Sequence, residues 1–174
     1  MTLRSPWFYS LAGFILAALV GHYAALEYFP RLVFDRATDM IQENGAEVNA
    51  WVNAPRSTPE VRTVVRPSPD LSYSVCLLDL SAGPVEINVP KWDAYASLAV
   101  FQRDTENVFV GNLQGSGDLH VTVVSGKQTA PQNTEVVNLA SKTGIALVRR
   151  LAPTQDAYDA AAKLTEASLC KSAK

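Results

Sequence analysis

The sequence predicts a mainly β protein: an antiparallel β-sandwich of jelly-roll type, preceded by a transmembrane helix and followed by a carboxy-terminal helix. Three observations carry this prediction. Residues 5–26 form an apolar segment without a charged side chain. After residue 70, short runs of alternating apolar residues are separated by turns rich in Gly, Pro, Asn and Asp. After Pro153, the apolar spacing changes to that of a helix.

The amino-terminal segment has the length and composition of a membrane anchor. Residues 5–26 contain no Asp, Glu, Lys or Arg, and about 20 residues at about 1.5 Å each cross a hydrocarbon core of about 30 Å. A cleaved signal peptide is the alternative, but its apolar region is shorter, and residues 23–25 make a poor cleavage site. We therefore predict an anchor over residues 1–30, with Pro30 ending or kinking the helix.

Three further segments complete the predicted organisation. Helical spacing predicts a juxtamembrane helix within residues 31–53, with its apolar run ending at Gly45. The prolines of residues 54–69 predict an extended connector, because a residue before Pro avoids the α region. Residues 70–174 then form the sandwich and the last helix, for which Thr154 is the predicted N-cap.

Seven strands are predicted within the sandwich from period-two alternation and flanking turns. The first of them is apolar on both faces, which predicts burial on two sides. Strands at this spacing are typical of an antiparallel sandwich or barrel. The predicted strands span residues 72–80, 85–89, 95–101, 107–110, 119–124, 135–139 and 145–150.

The charge of the chain excludes nucleic acid as a partner, but it does not decide how the chain is oriented in the membrane. The net charge of −2 provides no basic field for nucleic acid. Arg4 precedes the anchor, and Arg31 and Arg36 follow it, so charge bias does not decide the orientation. A short amino-terminal tail before a large domain predicts a single-pass membrane protein with the domain outside the cytoplasm, which in a bacterium means the inner membrane and the periplasm.

Motifs for catalysis or metal binding are scarce. His120 is the one histidine after the anchor, and it is expected on the solvent face of a strand, whereas a zinc site built from histidines needs several. The sequence contains no GxSxG elbow, no GxxxxGK[ST] loop and no GxGxxG after a strand. No spacing like DxDxDG indicates calcium. We therefore predict no metal and no cofactor, and favour a non-enzymatic role.

The two cysteines, Cys76 and Cys170, allow two interpretations. A disulfide between them would tie the last helix to the sheet, as is common outside the cytoplasm. Alternatively, one is a buried small apolar residue and the other an exposed thiol. We favour the second interpretation, because sequence does not fix the distance between them, and keep the disulfide as the alternative.

The first predicted strand is preceded by a polar cluster that includes Arg66, Asp70 and Tyr73. On a structural interpretation, prolines stiffen the entry to a hairpin, and Asp70 accepts hydrogen bonds from following amides in an Asx-type turn. Asp70→Asn would then lower stability by about 1–2 kcal/mol. On a functional interpretation, the same three residues line the rim of a pocket at the mouth of the sandwich. They are the candidate binding residues.

Several motifs, in order along the chain, resemble those of the DUF1254 family of uncharacterised bacterial proteins. The resemblance extends from about residue 48 to residue 169. Ser68 and Asp104 depart from the family pattern, which has Asn at both positions, so a binding role of either Asn does not transfer to this chain. The motifs are V-V-R-P-S-P-D-L-S-Y-S at residues 64–74, D-L-S-A-G-P-V at 79–85, P-x-x-x-x-Y-x-S at 90–97 and D-T-E-N at 104–107.

This resemblance implies a β-sandwich and a partner. Longer relatives join the domain to a second domain, DUF1214, so a separately encoded DUF1214-like protein is the expected partner. The function expected is that of a membrane-anchored envelope module that binds this partner without catalysis. A hydrolase-type enzyme, with a site completed at the partner interface by Arg66, Asp70 and Tyr73, is the alternative. A weaker one is an accessory subunit of a larger membrane complex, packed through small residues between Gly13 and Gly21.

Overall fold

A computed structural model of the chain describes residues 6–58, 67–115, 117–131 and 134–173. Within these residues the chain forms two helices and nine strands. Helix α1 spans Pro6–Glu43 and helix α2 spans Gln155–Glu166. The strands are β1 (Trp51–Asn53), β2 (Leu71–Asp79), β3 (Val85–Val89), β4 (Ala96–Gln102), β5 (Asn107–Asn112), β6 (Leu119–Ser125), β7 (Glu135–Leu139), β8 (Thr143–Leu151) and β9 (Leu169–Ser172).

The strands form two sheets that enclose one core, which confirms the predicted β-sandwich. Sheet A has the order β1-β2-β8-β4-β5, and sheet B has the order β7-β6-β3-β9. Neighbouring strands are antiparallel, except that β6 and β7 run parallel. Here the antiparallel expectation is wrong, because the chain returns to the starting end of β6 before β7 begins.

All seven predicted strands are present, with ends shifted by at most two residues. The two missed strands, β1 and β9, have three and four residues. Such short segments carry no period-two signal, and neighbouring strands hold them at the sheet edges. Because β1 belongs to sheet A, the sandwich begins at residue 51 and not at residue 70, and the predicted juxtamembrane segment 31–53 is only partly helical.

Helix α1 continues past Pro30, so of the two predicted effects of Pro30, an end or a kink, the end of the helix is wrong. A proline removes one hydrogen bond and crowds the preceding turn, but the helical segments on both sides are long enough to continue through it. The described residues contain one helix long and apolar enough to cross a membrane, and it is α1. Its apolar side chains are exposed, including Trp7 at 84% and Phe14 at 72%.

The carboxy-terminal end of α1 is closed by a Schellman motif. Gly45 has φ of +90°, a left-handed conformation that suits glycine. Its N–H donates to the carbonyl of Gln42 at 2.8 Å, and the N–H of Ala46 donates to the carbonyl of Ile41 at 3.3 Å. The predicted end of the helical run at Gly45 is therefore confirmed.

Contacts at the end of α1 join the helix to sheet A. Phe34 is buried at 4% exposure, and Arg103 donates two hydrogen bonds, of 2.9 and 2.7 Å, to the Asp35 carboxylate. Asn49 has φ of +55°, which Asn tolerates better than most residues. Its side chain donates to the Asp79 carbonyl at 3.0 Å and accepts from the Asp79 N–H at 2.9 Å. The domain is thus attached to the end of a long helix by specific contacts.

The core lies between the inner faces of the two sheets, the faces that point toward each other. Strand β3 contributes Val85, Ile87 and Val89 from sheet B, and sheet A contributes residues that include Leu98 and Val148. Strand β2 is fully buried on its inner face and half-buried for much of its outer face. The predicted burial of this strand on two sides is therefore only partly correct.

Helix α2 packs on the inner faces of β1 and β2 and closes one end of the sandwich. Thr154 Oγ1 accepts a hydrogen bond from the N–H of Ala157 at 3.2 Å, which confirms the predicted N-cap. The buried residues of the helix are Ala161 and Thr165. The Tyr158 hydroxyl donates to the Ala54 carbonyl just after β1, and burial raises the pKa of this tyrosine.

Candidate functional site

The predicted rim residues are only partly placed by the structure. Arg66 lies outside the described residues, so its part in a pocket stays a prediction. The Tyr73 hydroxyl accepts the N–H of Ser68 at 2.9 Å, so its side chain folds back over the turn. Asp70 is exposed, and its carboxylate accepts no hydrogen bond among the described residues. Its backbone carbonyl instead accepts the N–H of Ala152 at 2.8 Å. The Asx-type turn is therefore wrong, since backbone groups hold the turn.

This geometry changes the expected effect of Asp70→Asn. An exposed carboxylate without a hydrogen bond contributes little to the stability of the folded state. We therefore expect the free energy of unfolding to change by less than about 0.5 kcal/mol. Asp79→Asn is the matched control, because Asp79 Oδ1 accepts the N–H of Ser81 at 2.8 Å. Hydrogen bonding by Ser81, first through its side chain and then through its backbone, lowers the pKa of Asp79. Urea unfolding of the full chain in detergent should show the larger loss for Asp79→Asn. Equal losses would contradict this account.

Tyr73 belongs to a polar row on the outer face of sheet A, the face directed away from sheet B. Directly opposite each other across four strands lie Tyr73 in β2, Arg149 in β8, Ser97 in β4 and Asn112 in β5. We call these four residues the Arg149 row. The Tyr95 hydroxyl reaches the Ser97 hydroxyl at 3.3 Å and extends the row.

The positive charge of Arg149 has no negatively charged partner in this row. The side chain is half-buried, and its Nε is buried without a hydrogen-bond partner among the described residues. The ion pairs of the described chain are Arg31 with Glu27 and Arg103 with Asp35, so no carboxylate there pairs with Arg149. A guanidinium with unused donors is suited to bind a carboxylate from outside the domain.

Arg150, the next residue of β8, points to the inner face and is 1% exposed. Its Nη1 donates to Thr165 Oγ1 of α2 at 3.0 Å. Thr165 Oγ1 lies 2.8 Å from Ser74 Oγ, which in turn donates to Asn53 Oδ1 at 2.8 Å. This network ties α2 to β1, β2 and β8. Burial lowers the pKa of Arg150 to about 10, which still leaves it charged at neutral pH.

Cys76 and Cys170 form a disulfide, with the two Sγ atoms 2.04 Å apart. The favoured interpretation, a buried small residue and an exposed thiol, is therefore wrong. Cys76 lies in β2 of sheet A and Cys170 in β9 of sheet B. The bridge therefore joins the two sheets, and not the last helix to a sheet as the disulfide interpretation had it. Both residues are buried, and the described chain has no free thiol.

Other groups provide no catalytic arrangement in the described part of the chain. His120 is exposed on β6, opposite Asn88, as predicted. The described residues contain no group of three His, Cys, Asp or Glu side chains that could hold a metal ion. A cleft of about 620 Å³ separates α1 from sheet A, but Asp35 and Arg103 at its edge already pair with each other.

Neither Arg149 nor Arg150 is among the site residues predicted from sequence. The available signal was two successive arginines inside an alternating apolar strand, Ile145–Leu151. Successive residues of a strand point to opposite faces, so one of the two had to point into the core.

Comparisons with known proteins identify a family and a fold. The family model described as "Protein of unknown function (DUF1254)" matches residues 48–172. A search of curated proteins found no match. The VPA0106 protein from Vibrio parahaemolyticus has a similar structure, with a TM-score of 0.62, 16% identity, and coverage of 82% of this chain and 35% of that chain. A structure of an uncharacterized protein from Burkholderia cenocepacia has a TM-score of 0.47 and 18% identity, with coverage of 63% and 33%.

The likeness to the VPA0106 protein supports the two-sheet fold alone, because the identity is low. This chain spans about a third of the length of each of these two proteins, at 35% and 33%. Each of them therefore has a large part outside the region matched by this chain.

Proposed function

The chain belongs to the DUF1254 family of proteins of unknown function, and from that premise we propose a function based on its surface. The protein is a single-pass, membrane-anchored module of the bacterial envelope that binds a partner domain without catalysis. The partner is a separately encoded DUF1214-like protein, and an acidic side chain of that protein binds at the Arg149 row. The observation that carries this proposal is the unpaired, half-buried guanidinium of Arg149.

The proposed anchor is supported by the exposed apolar surface of α1. Large apolar patches on a soluble monomer are unfavourable in water, and a helix of this length and hydropathy is stabilised in a lipid bilayer. The buried disulfide supports a domain outside the cytoplasm, because such bonds persist in oxidising compartments. A carboxy-terminal tag should therefore be cleaved by protease in intact spheroplasts. Cleavage only after lysis would place the domain in the cytoplasm.

The partner surface combines charge with apolar area. Next to the Arg149 row on the same face lie Val75 and Leu147, which are half-buried, and Val110, which is 61% exposed. Ala99, between Leu147 and Val110 in the register, is buried. An apolar area beside a desolvated charge is typical of the energetically important centre of an interface. A carboxylate that pairs with Arg149 there would gain two parallel hydrogen bonds.

The choice of a DUF1214-like partner is supported by the family, whose longer members join this domain to a DUF1214 domain. The VPA0106 protein has a similar sandwich within a chain of which this one covers 35%, so the fold occurs there with much additional protein. We infer that this sandwich, too, acts together with further protein.

Binding of the full chain in detergent to the DUF1214-like protein of the same organism tests the proposal. We expect a stable complex by size-exclusion chromatography with light scattering, and Arg149→Glu should raise Kd about 30-fold or more. Truncating one partner of a buried charge pair costs about 2 kcal/mol or more, and about 1.4 kcal/mol is tenfold in affinity.

Arg103→Met is the matched control, because Arg103 is an exposed arginine that pairs with Asp35 at the end of α1. It should bind the partner like the wild type. An unchanged urea midpoint for Arg149→Glu would show that lost binding is not lost folding. Wild-type protein that stays monomeric with each DUF1214-like protein of its organism would overturn the proposal, and so would full binding by Arg149→Glu.

A further inference from the structure

The inner arginine of β8 supports an inference separate from the partner surface. We propose that Arg150 binds a small monovalent anion inside the sandwich, through the edge of its guanidinium formed by Nε and Nη2. The ligand is a halide or the carboxylate of a very small organic acid. The site lies between β2, β8 and α2 and shares no residue with the Arg149 row.

The charge of Arg150 needs compensation. The side chain is 1% exposed, and no ion pair of the described chain includes it. A buried charge without a partner costs several kcal/mol, and buried charges are normally paired. Deprotonation does not remove this cost, because even the lowered pKa of about 10 leaves the guanidinium charged at neutral pH.

The unused donors of Arg150 have the geometry of an anion site. Nη1 is occupied by Thr165, whereas Nε and Nη2 are buried without hydrogen-bond partners among the described residues. These two nitrogens form one edge of the planar fork and present parallel N–H groups. Such an edge binds a carboxylate through both oxygens, or one halide between the two N–H groups.

A hydroxyl group is available beside the guanidinium. Ser72 lies directly opposite Arg150 in the β2–β8 register, on the same inner face, and is 2% exposed. Its hydroxyl makes no hydrogen bond among the described residues, so it can donate one to an anion. The contacts of Thr165 hold α2 over this position. Because Nε and Nη2 are closed to solvent, only a small ligand can be accommodated there.

Thermal unfolding of the full chain in detergent tests the site. The Tm is measured in gluconate, an anion too large for the site, and again after chloride or formate replaces gluconate at constant ionic strength. We expect a saturable rise of about 5 °C or more in Tm at about 100 times Kd, because a ligand that binds the folded state raises its stability. A rise with formate alone identifies a carboxylate site, a rise with chloride alone identifies a halide site, and both results support the proposal.

Arg150→Met should abolish the rise, and Arg149→Met, the neighbouring arginine on the outer face, should retain it. If Arg150→Met does not fold, crystals of the wild-type chain grown in bromide give a second measurement. They should show an anomalous peak within hydrogen-bond distance of Nε and Nη2. The same Tm in chloride, formate and gluconate, a rise that persists in Arg150→Met, or the lack of a bromide peak at Arg150 would each overturn the proposal.

Discussion

Replacing Cys76 and Cys170 together with alanine is expected to lower the free energy of unfolding by about 4–5 kcal/mol. The bridge joins residues 94 positions apart, and closing a loop of that length removes much of the conformational entropy of the unfolded chain. Domains are typically stable by about 5–15 kcal/mol, so the double variant should be marginal. Its Tm should fall by about 10 °C or more.

Urea unfolding of the full chain in detergent, with and without reductant, gives the measurement. Reductant should lower the midpoint of the wild type toward that of the double variant and leave the double variant unchanged. The folded wild type should resist reduction, because Cys76 and Cys170 are 0% and 6% exposed. The bridge would be refuted by two reactive thiols in wild-type protein denatured without reductant. A double variant as stable as the wild type would contradict the entropic argument.

The elements predicted from sequence are those with local signals. In the sequence of strand β3, apolar and polar residues alternate between two prolines, and the predicted ends of the strand match the structure. Helix α2 begins at its predicted cap because a threonine before a helix satisfies an unpaired N–H. In both cases the interactions that define the element lie within a few residues of one another.

The elements missed from sequence depend on distant partners. Strand β1 forms because Trp51 lies opposite Cys76 on β2, and β9 forms because Cys170 lies opposite Ile87 on β3. The disulfide depends on the same arrangement, since β9 brings Cys170 across the sandwich from Cys76. Neither cysteine has a local pattern that indicates its partner.

The pairing of Tyr73 with Arg149 could not be predicted from sequence for a similar reason. The prediction that Arg66, Asp70 and Tyr73 form a cluster depends on their closeness in sequence. In the structure Tyr73 instead lies opposite Arg149, which is 76 positions further along the chain. Strand pairing brought these residues together, and no turn motif near residue 70 contains that information.

Gly144→Ala is expected to lower the free energy of unfolding by about 3 kcal/mol, the upper part of the range for overpacking. Gly144 lies in β8, between β2 and β4, opposite Leu78 and Gln102. A Cβ there would stand 2.8 Å from the carbonyl oxygen of Phe101, a backbone atom that cannot move without disturbing the β4–β8 pairing. Strain should therefore spread into the centre of sheet A.

Gly111→Ala is the matched control, because it also adds one methyl group to a buried glycine of sheet A. The nearest atom there is Cδ2 of Leu119, the flexible end of a half-buried side chain. Rotation of Leu119 can relieve this contact, and alanine also reduces the entropy of the unfolded chain, so we expect a loss below about 1 kcal/mol. Urea unfolding of both variants in detergent distinguishes the two cases. Equal losses would mean that backbone and side-chain neighbours resist the added methyl group alike, and that the rigidity assigned to β8 is wrong.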